Sequence, residues 1–386
     1  MKLLFIYPNL TQKAGTERVL IDKLNYLSNN TSYEIVLLTY EQGYHPIGFP
    51  VSPHIKHIDL NICFHRLYKY NRIVRFYKKK QLERVLQEKY NTLVKKFRPD
   101  IVTTFTYYVE AMRIVACCPV DCVRILESHV DKRFLLFNDP MAKHNMVTRL
   151  RLLYESWGVN HYAKKFDILV ALTQKDAENW SNLVKTTVIT NMVHIYKNEI
   201  VSCLKNKSVI FAGRYSNEKG IFDLYKIWEI VYKKHPDWHL NLYGEGPLRD
   251  ILDAKAGQLN INIHVNESTD NIFEKYRDSS IFVLCSIFEA FGLVIPEAMS
   301  CGIPVVSFDC PFGPRHIITN GKDGFLIPNR NIKMFADRIC ELIESEELRK
   351  KIGKEAILTA KRYEPEIIIQ QWINLYQSLH KNFNSI

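Results

Sequence analysis

Short apolar runs rich in β-branched residues recur along the chain, and stretches of helical periodicity fill the gaps between them almost from end to end. That alternation constrains the fold most, because strand, helical crossover and strand in series build a parallel sheet with helices on its faces. Strands are expected at residues 2–8, 33–40, 100–105, 124–128 and 167–172, and a second series at 208–213, 238–243, 263–265, 281–285 and 304–308 repeats the architecture. The chain has 386 residues, and single cores stop growing at roughly 250–300 residues. The pattern therefore predicts an N-terminal Rossmann-like domain over 1–190, a polar linker at 191–207 and a C-terminal Rossmann-like domain over 208–363. A last segment, 364–386, carries Ile368, Trp372, Leu375, Tyr376 and Leu379 at helical spacing, so one of its faces should pack on protein.

Composition narrows the classes of function. No run approaches the roughly 20 apolar residues of a membrane-spanning helix. The apolar start from Lys2 to Pro8 is short and lacks a small-residue cleavage site, so it reads as a buried first strand and not a secretory signal. Nine cysteines without regular spacing fit reduced thiols in a cytoplasmic protein. The cluster Cys117, Cys118 and Cys122 has no companion pair at zinc spacing, and a structural role is expected for it. Net charge is +11; residues 1–190 hold 28 Lys and Arg against 17 Asp and Glu, while the remainder holds 24 of each. All the excess is N-terminal. Charge of this kind serves nucleic acid, an anionic membrane or an anionic substrate, but no nucleic-acid recognition module accompanies it, so nucleic acid is not expected as a partner.

In parallel sheets ligands bind beyond the carboxyl ends of the strands. The loop after the strand at 208–213 holds Arg214, Lys219 and Gly220 at the opening of a helix. A guanidinium fork and a compact ammonium together suit a diphosphate, although read alone they are equally two solvated charges of a turn. After the strand at 281–285 come Glu289 and Glu297, eight positions apart, the first in a loop and the second about one turn into a helix. Between them, the amides of Phe291, Gly292 and Leu293 should open that helix, where N–H groups and the dipole favour an anion. Carboxylates beside such an anion can accept from sugar hydroxyls. The plainer alternative is a pair of helix-start carboxylates.

These residues carry a resemblance. Glu289 and Glu297 match the E-x7-E signature, and Gly213, Arg214, Lys219 and Gly220 the Gly-Arg-x4-Lys-Gly element, of the retaining GT-B glycosyltransferases of family 4, which include builders of bacterial surface polysaccharides. The resemblance spans essentially the whole chain and is strongest from Val209 to Pro328. It implies an α/β GT-B fold of two facing Rossmann-like domains with the C-terminal helix returning to the N-terminal one. It also implies that Arg214 and Lys219 neutralise a donor diphosphate, that Phe291, Gly292 and Leu293 complete the phosphate cradle, that Glu297 binds the ribose and that Glu289 touches the donor sugar. Gly15 and Thr16, in the loop 13–18 after the first strand, resemble the family loop that admits acceptor and distal donor phosphate. His129, in Glu127-Ser128-His129, resembles the family histidine that faces the donor sugar. A strand-to-helix turn and a structural histidine are the plain readings of those two. Two departures stand out: Ala290 where the family often has glycine, and His316 where a glutamate usually follows the Pro-Arg pair.

Residues 66–98 hold 12 Lys and Arg and only Glu83 and Glu88 as acids. Leu82, Leu86, Leu93 and Phe97 form a stripe that should dock on the N-terminal sheet, whereas aromatics and charge interleave around Arg72, Arg75, Lys78 and Lys79. Such a surface suits anionic lipid, with a solvated charged helix as the plain alternative. The expectation is a cytoplasmic enzyme peripheral to the inner face of the membrane. It transfers a hexose or N-acetylhexosamine from a nucleotide-diphosphate sugar, UDP-linked by preference, to a glycan or polyprenyl-diphosphate-linked acceptor with retention. No metal or other cofactor is expected, since the chain has no Asp-x-Asp motif and the two cations serve the diphosphate. The rival readings are a sugar-nucleotide epimerase or hydrolase of the same fold and a non-catalytic scaffold in polysaccharide assembly.

Overall fold

Leu3, Leu4, Phe5, Ile6 and Tyr7 are all buried in succession. Neighbouring residues of a strand point to opposite faces, so a run buried throughout requires a sheet covered on both sides. The structure, a computed structural model, describes residues 1–12, 14–130, 132, 146–196 and 201–384. It divides into two compact units, Met1–Met192 with Ile368–Ile386, and Val193–Ile367.

The first unit runs β1 (Lys2–Tyr7), α1 (Gly15–Asn30), β2 (Glu34–Thr39), β3 (Ile55–Asp59), α2 (Arg72–Phe97), β4 (Ile101–Phe105), α3 (Val109–Ala116), β5 (Val123–Ser128), α4 (Met146–Ala163), β6 (Ile168–Ala171), α5 (Gln174–Trp180) and β7 (Thr186–Val188). Its strands form a seven-stranded sheet in the order β3-β2-β1-β4-β5-β6-β7. Every pairing is parallel, with Leu3 opposite Ile35 on one side and Ile101 on the other. Leu4, Ile6, Val36 and Leu38 join one core with Leu86, Tyr90 and Val94 of α2. Leu3, Phe5, Ile35 and Leu37 join the other, with Leu20, Leu24 and Leu27 of α1.

The second unit runs β8 (Ser208–Ala212), α6 (Ile221–Lys234), β9 (His239–Tyr243), α7 (Arg249–Leu259), β10 (Ile263–Asn266), α8 (Ile272–Arg277), β11 (Ile281–Leu284), α9 (Val294–Ser300), β12 (Val305–Phe308), α10 (Gly313–Ile317), β13 (Gly324–Ile327), α11 (Ile332–Glu344), α12 (Glu346–Ala360) and the start of α13 (Pro365–Asn384). Its parallel sheet has the order β10-β9-β8-β11-β12-β13. Each sheet reverses direction of winding beside its first strand, between β1 and β4 and between β8 and β11, which is the switch point where such folds hold ligands.

The remainder of α13 belongs to the first unit: Ile368, Ile369, Trp372 and Tyr376 are buried among β1, β2 and α1 residues. Each contributes about 1.5–3 kcal/mol relative to exposure. The sequence makes 191–207 a linker, and here the structure differs. Ser202 donates its amide to the Cys301 carbonyl at 2.9 Å and its hydroxyl to the Ser279 carbonyl at 2.7 Å, and the Leu204 carbonyl accepts twice from the Arg349 guanidinium, at 3.0 and 2.8 Å. Polar residues without periodicity look like a tether, but they are held by groups over 70 positions away. The edge strands β3, β7 and β13, absent from the sequence reading, have no long apolar run. Of the cysteine cluster, Cys122 is buried, Cys118 partly so and Cys117 exposed.

Candidate active site

The loops after β8 and β11 meet at the switch point of the second sheet, and their contact is built from backbone. Ile287 donates its amide to the Glu218 carbonyl at 2.8 Å. Gly220 takes a left-handed conformation, φ +64°, and a Cβ there would lie 2.0 Å from the Cys285 carbonyl oxygen. Only glycine lets the first loop come this close to the end of β11. That is the physical content of the Lys-Gly pair.

Across this contact Lys219 Nζ donates to Glu289 Oε1 at 2.5 Å, and Ser286 Oγ donates to the same oxygen at 2.8 Å. Glu289 is fixed through its main chain as well, since its carbonyl accepts from Gly313 at 2.8 Å. Gly313 is crowded: a Cβ would sit 2.5 Å from the Phe291 carbonyl oxygen. Lys219 keeps 23% of its side-chain surface and Glu289 10%, so solvent reaches the pair. Arg214, four residues before Glu218, is exposed and makes no ion pair among the described residues. The amides of Phe291, Gly292 and Leu293 donate to no described residue, while Ile295, in the first turn of α9, returns its amide to the Gly292 carbonyl. Glu297 is buried on α9. Burial pushes the nearby Cys310 thiol up to about 12, with Glu289 adding to the effect, so it is no nucleophile at neutral pH. His316 is exposed, its carbonyl accepting from Tyr363 Oη at 3.4 Å, and Arg315 beside it pairs with Asp309 at 2.9 Å.

In the first unit Gly15 and Thr16 open α1, and Glu17 accepts from Tyr7 Oη at 2.9 Å. Lys13 lies outside the described residues. His129 follows β5 and is buried, its Nε2 3.0 Å from Glu127 Oε2. Glu127 Oε1 accepts from the Lys23 ammonium, which also lies 3.9 Å over the Trp372 ring. Desolvation would raise the Glu127 pKa, but Lys23 and His129 outweigh it and hold the carboxylate below its usual range. The sequence reading missed Lys23. Its signal was there: Lys23 falls on the inward stripe Val19, Leu20, Leu24 and Leu27 of α1, where a lone cation calls for a buried acid.

The basic segment divides. Leu82, Leu86, Leu93 and Phe97 dock on the sheet. Arg75 donates to the Tyr68 and Tyr70 carbonyls, Lys79 pairs with Glu110 at 2.7 Å, Lys78 sits over the Tyr70 ring, and Arg72 is exposed. Tyr68, Ile73, Phe76 and Tyr77 stand 76, 72, 59 and 70% exposed beside them. Among the described residues no helix is long and apolar enough to cross a membrane.

Residues 195–359, nearly the whole second unit, match the family model described as glycosyl transferases group 1. A glycosyltransferase of Haemophilus influenzae, itself uncharacterized, is 27% identical over 377 residues, covering 96% of this chain and 98% of its own length. This chain is a glycosyltransferase of the GT-B fold. The amylovoran biosynthesis glycosyltransferase AmsD of Erwinia amylovora is 26% identical to the transferase, over 96% of this chain and 98% of AmsD. A variant of TarM from S. aureus, solved with Fondaparinux, alpha-GlcNAc-glycerol and UDP, superposes with a TM-score of 0.76 at 17% identity, covering 97% of the transferase and 99% of TarM. The likeness to TarM is one of fold.

Proposed function

We propose that the protein transfers a hexose or N-acetylhexosamine from a UDP-linked sugar to a glycan or polyprenyl-diphosphate-linked glycan, with retention, in cell-surface polysaccharide synthesis, as a retaining enzyme of family 4. The observation that carries this reading is the pairing of Lys219 with Glu289 at the end of the loop that also holds Arg214, which makes no ion pair among the described residues. An ammonium in a half-open ion pair can exchange its carboxylate for a phosphate, and among the described residues Arg214 has no ion-pair partner to give up. The two cations then neutralise the diphosphate and the charge that develops on it as the glycosidic bond breaks. Released from Lys219, Glu289 is free to accept from a hydroxyl of the donor sugar, with Glu297 near the ribose and the amides of Phe291 to Leu293 toward the phosphate. The name of AmsD supports the polysaccharide context. The UDP and α-linked GlcNAc glycoside held by TarM support a uridine nucleotide and retention, because the common UDP-sugars are themselves α-linked.

Retention without a carboxylate nucleophile follows from front-face displacement. The leaving phosphate oxygen takes the acceptor's proton as the acceptor oxygen bonds to the anomeric carbon from the same side. With two protein cations on the diphosphate, a divalent ion has no necessary task, and we expect none to be required. The exposed aromatics beside Arg72 and Lys78 favour a seat on anionic lipid at the inner face of the membrane, where lipid-linked acceptors reside.

A panel of nucleotide sugars tested for release of nucleotide diphosphate, followed by NMR of the anomeric proton in the product, tests the proposal. The expected result is turnover of a UDP-sugar and an α-anomer. Release of free sugar with no transfer to any acceptor would favour a hydrolase, and a β-product would overturn retention.

A further inference from the structure

Cys117, Cys118 and Cys122 lie in the turn between α3 and β5, and the proposed transfer makes no use of them. Both ends of that turn are anchored. The Cys118 amide donates to the Val115 carbonyl at 3.0 Å, the Val123 amide to the Asp100 carbonyl at 2.9 Å and the Arg124 amide to Asp167 Oδ2 at 2.7 Å. Held in this way, the Cys122 thiol donates to Cys118 Sγ across 3.7 Å. Cys118 is partly exposed, whereas Cys122 is 4% exposed and belongs to the core that α2 and α3 build on one face of the sheet. Cys117 is exposed.

The two touching sulfurs differ in what they can do. A thiolate is the nucleophile of thiol chemistry, and a neighbouring S–H that donates to it stabilises its charge. The Cys122 thiol does this for Cys118 first of all; Tyr90 of α2, the Val120 amide and Arg124 of β5 add to it, and together they outweigh burial and bring Cys118 down to about 6. Cys122 moves the opposite way, pushed up by its bond to Cys118, by burial and by Asp167 against the pull of Arg124. Cys122 therefore keeps its proton. A reachable thiolate with a protonated thiol behind it is the arrangement in which oxidation of the first sulfur is resolved by the second.

We propose that Cys118 and Cys122 form a peroxide-reactive dithiol that closes reversibly to a disulfide, with Cys118 as the attacking sulfur and Cys122 as the resolving one. The oxidant is a hydroperoxide. The Cys118 thiolate attacks one peroxide oxygen, the O–O bond breaks and hydroxide leaves, so the sulfur is oxidised to a sulfenic acid and the peroxide is reduced. Cys122 sulfur then attacks Cys118 sulfur, the S–O bond breaks, and the hydroxyl group leaves with the Cys122 proton as water. The sulfurs are already in contact, so closure asks little of a turn whose ends are held. The new bond ties the end of α3 to the start of β5, and a dithiol reductant restores both thiols. None of this rests on the transferase reading.

The test treats the full-length protein with hydrogen peroxide at neutral pH, blocks the remaining thiols and cuts the chain on the amino side of Asp121. That cut separates Cys118 from Cys122 unless a bond joins them. The expected result, read by mass spectrometry, is the loss of two free thiols and a joined pair of fragments in wild type and in Cys117→Ser, with both thiols recovered after dithiothreitol. In Cys122→Ala the joined pair should vanish and dimedone should capture a sulfenic acid on Cys118. Fragments that stay separate in peroxide-treated wild type overturn the proposal. So does a joined pair that persists in Cys118→Ser or is lost in Cys117→Ser, since either assigns the bond to Cys117. Should the variant at buried Cys122 not fold, the wild-type and Cys117→Ser fragments decide. Because thiols are counted without turnover, a disulfide formed in a protein that transfers no sugar would refute the proposed function and leave this inference standing.

Discussion

Two of the molecule's lysine–glutamate pairs, Lys23 with Glu127 and Lys219 with Glu289, differ in access. Lys23 and Glu127 are sealed under Trp372 and Phe5, whereas Lys219 and Glu289 keep 23% and 10% of their side-chain surface and follow the exposed Arg214, which makes no ion pair among the described residues. A sealed pair has no exchange partner: its charges balance each other, and removing one strands the other in low dielectric. An open pair trades partners cheaply, because solvent or an incoming anion can take over either charge. The same two side chains therefore serve as a fixed brace in one unit and as an exchangeable anion clamp in the other.

The comparison breaks most visibly in stability. Lys23→Ala should cost about 3–5 kcal/mol in urea unfolding at pH 7, because it leaves Glu127 buried and unpaired; a loss below about 1 kcal/mol would show that the pair is not a brace. The deficit has a pH dependence. Since the folded Glu127 pKa is depressed below its ordinary 4.5, the stability it brings is complete above that value and lost as pH falls through the folded pKa. The gap between wild type and variant should accordingly close in acid.

The open pair should behave in the opposite manner. Lys219→Ala, Arg214→Ala and Glu289→Gln are each expected to lower kcat by about 10²–10³-fold, the scale of losing one electrostatic contact to a transition state. Their unfolding free energies should move by only about 1 kcal/mol. Near-normal turnover by any purified variant would remove that residue from the clamp.

Smaller effects sharpen the reading of the first unit's surface. Neutralising Arg72, Arg75, Lys78 and Lys79 together should weaken salt-sensitive sedimentation with anionic liposomes by about 1 kcal/mol for each charge that is free to act. Arg72 and Lys78 should carry more of this than Arg75 and Lys79, which already bond carbonyls and Glu110. Equal binding to neutral vesicles would argue against a lipid seat. The smallest expected effect is none: turnover should survive EDTA, and complete loss restored by manganese would contradict a clamp built from Arg214 and Lys219 alone.

Much of this was legible before any fold was known. The strand series gave both sheets because central strands buried on both faces write continuous apolar runs, as at Leu3 to Tyr7. The charges of the second unit were legible with Gly220, because they fall in short motifs after apolar strands, although the Cys285 carbonyl that demands a glycine there lies far along the chain. Edge strands were harder, since β3 buries only one residue, Ile55, fully.

What the amino-acid sequence determined by itself is therefore the repeating strand and helix pattern, the two cations and two carboxylates after β8 and β11, and the apolar face of the last helix. Tertiary structure alone decided which charges meet. Lys23 and Glu127 are separated by 104 positions, and Lys219 and Glu289 by 70. Pairing across such distances depends on sheet order and helix packing, which no local periodicity encodes, and so does the difference between a sealed ion pair and an open one.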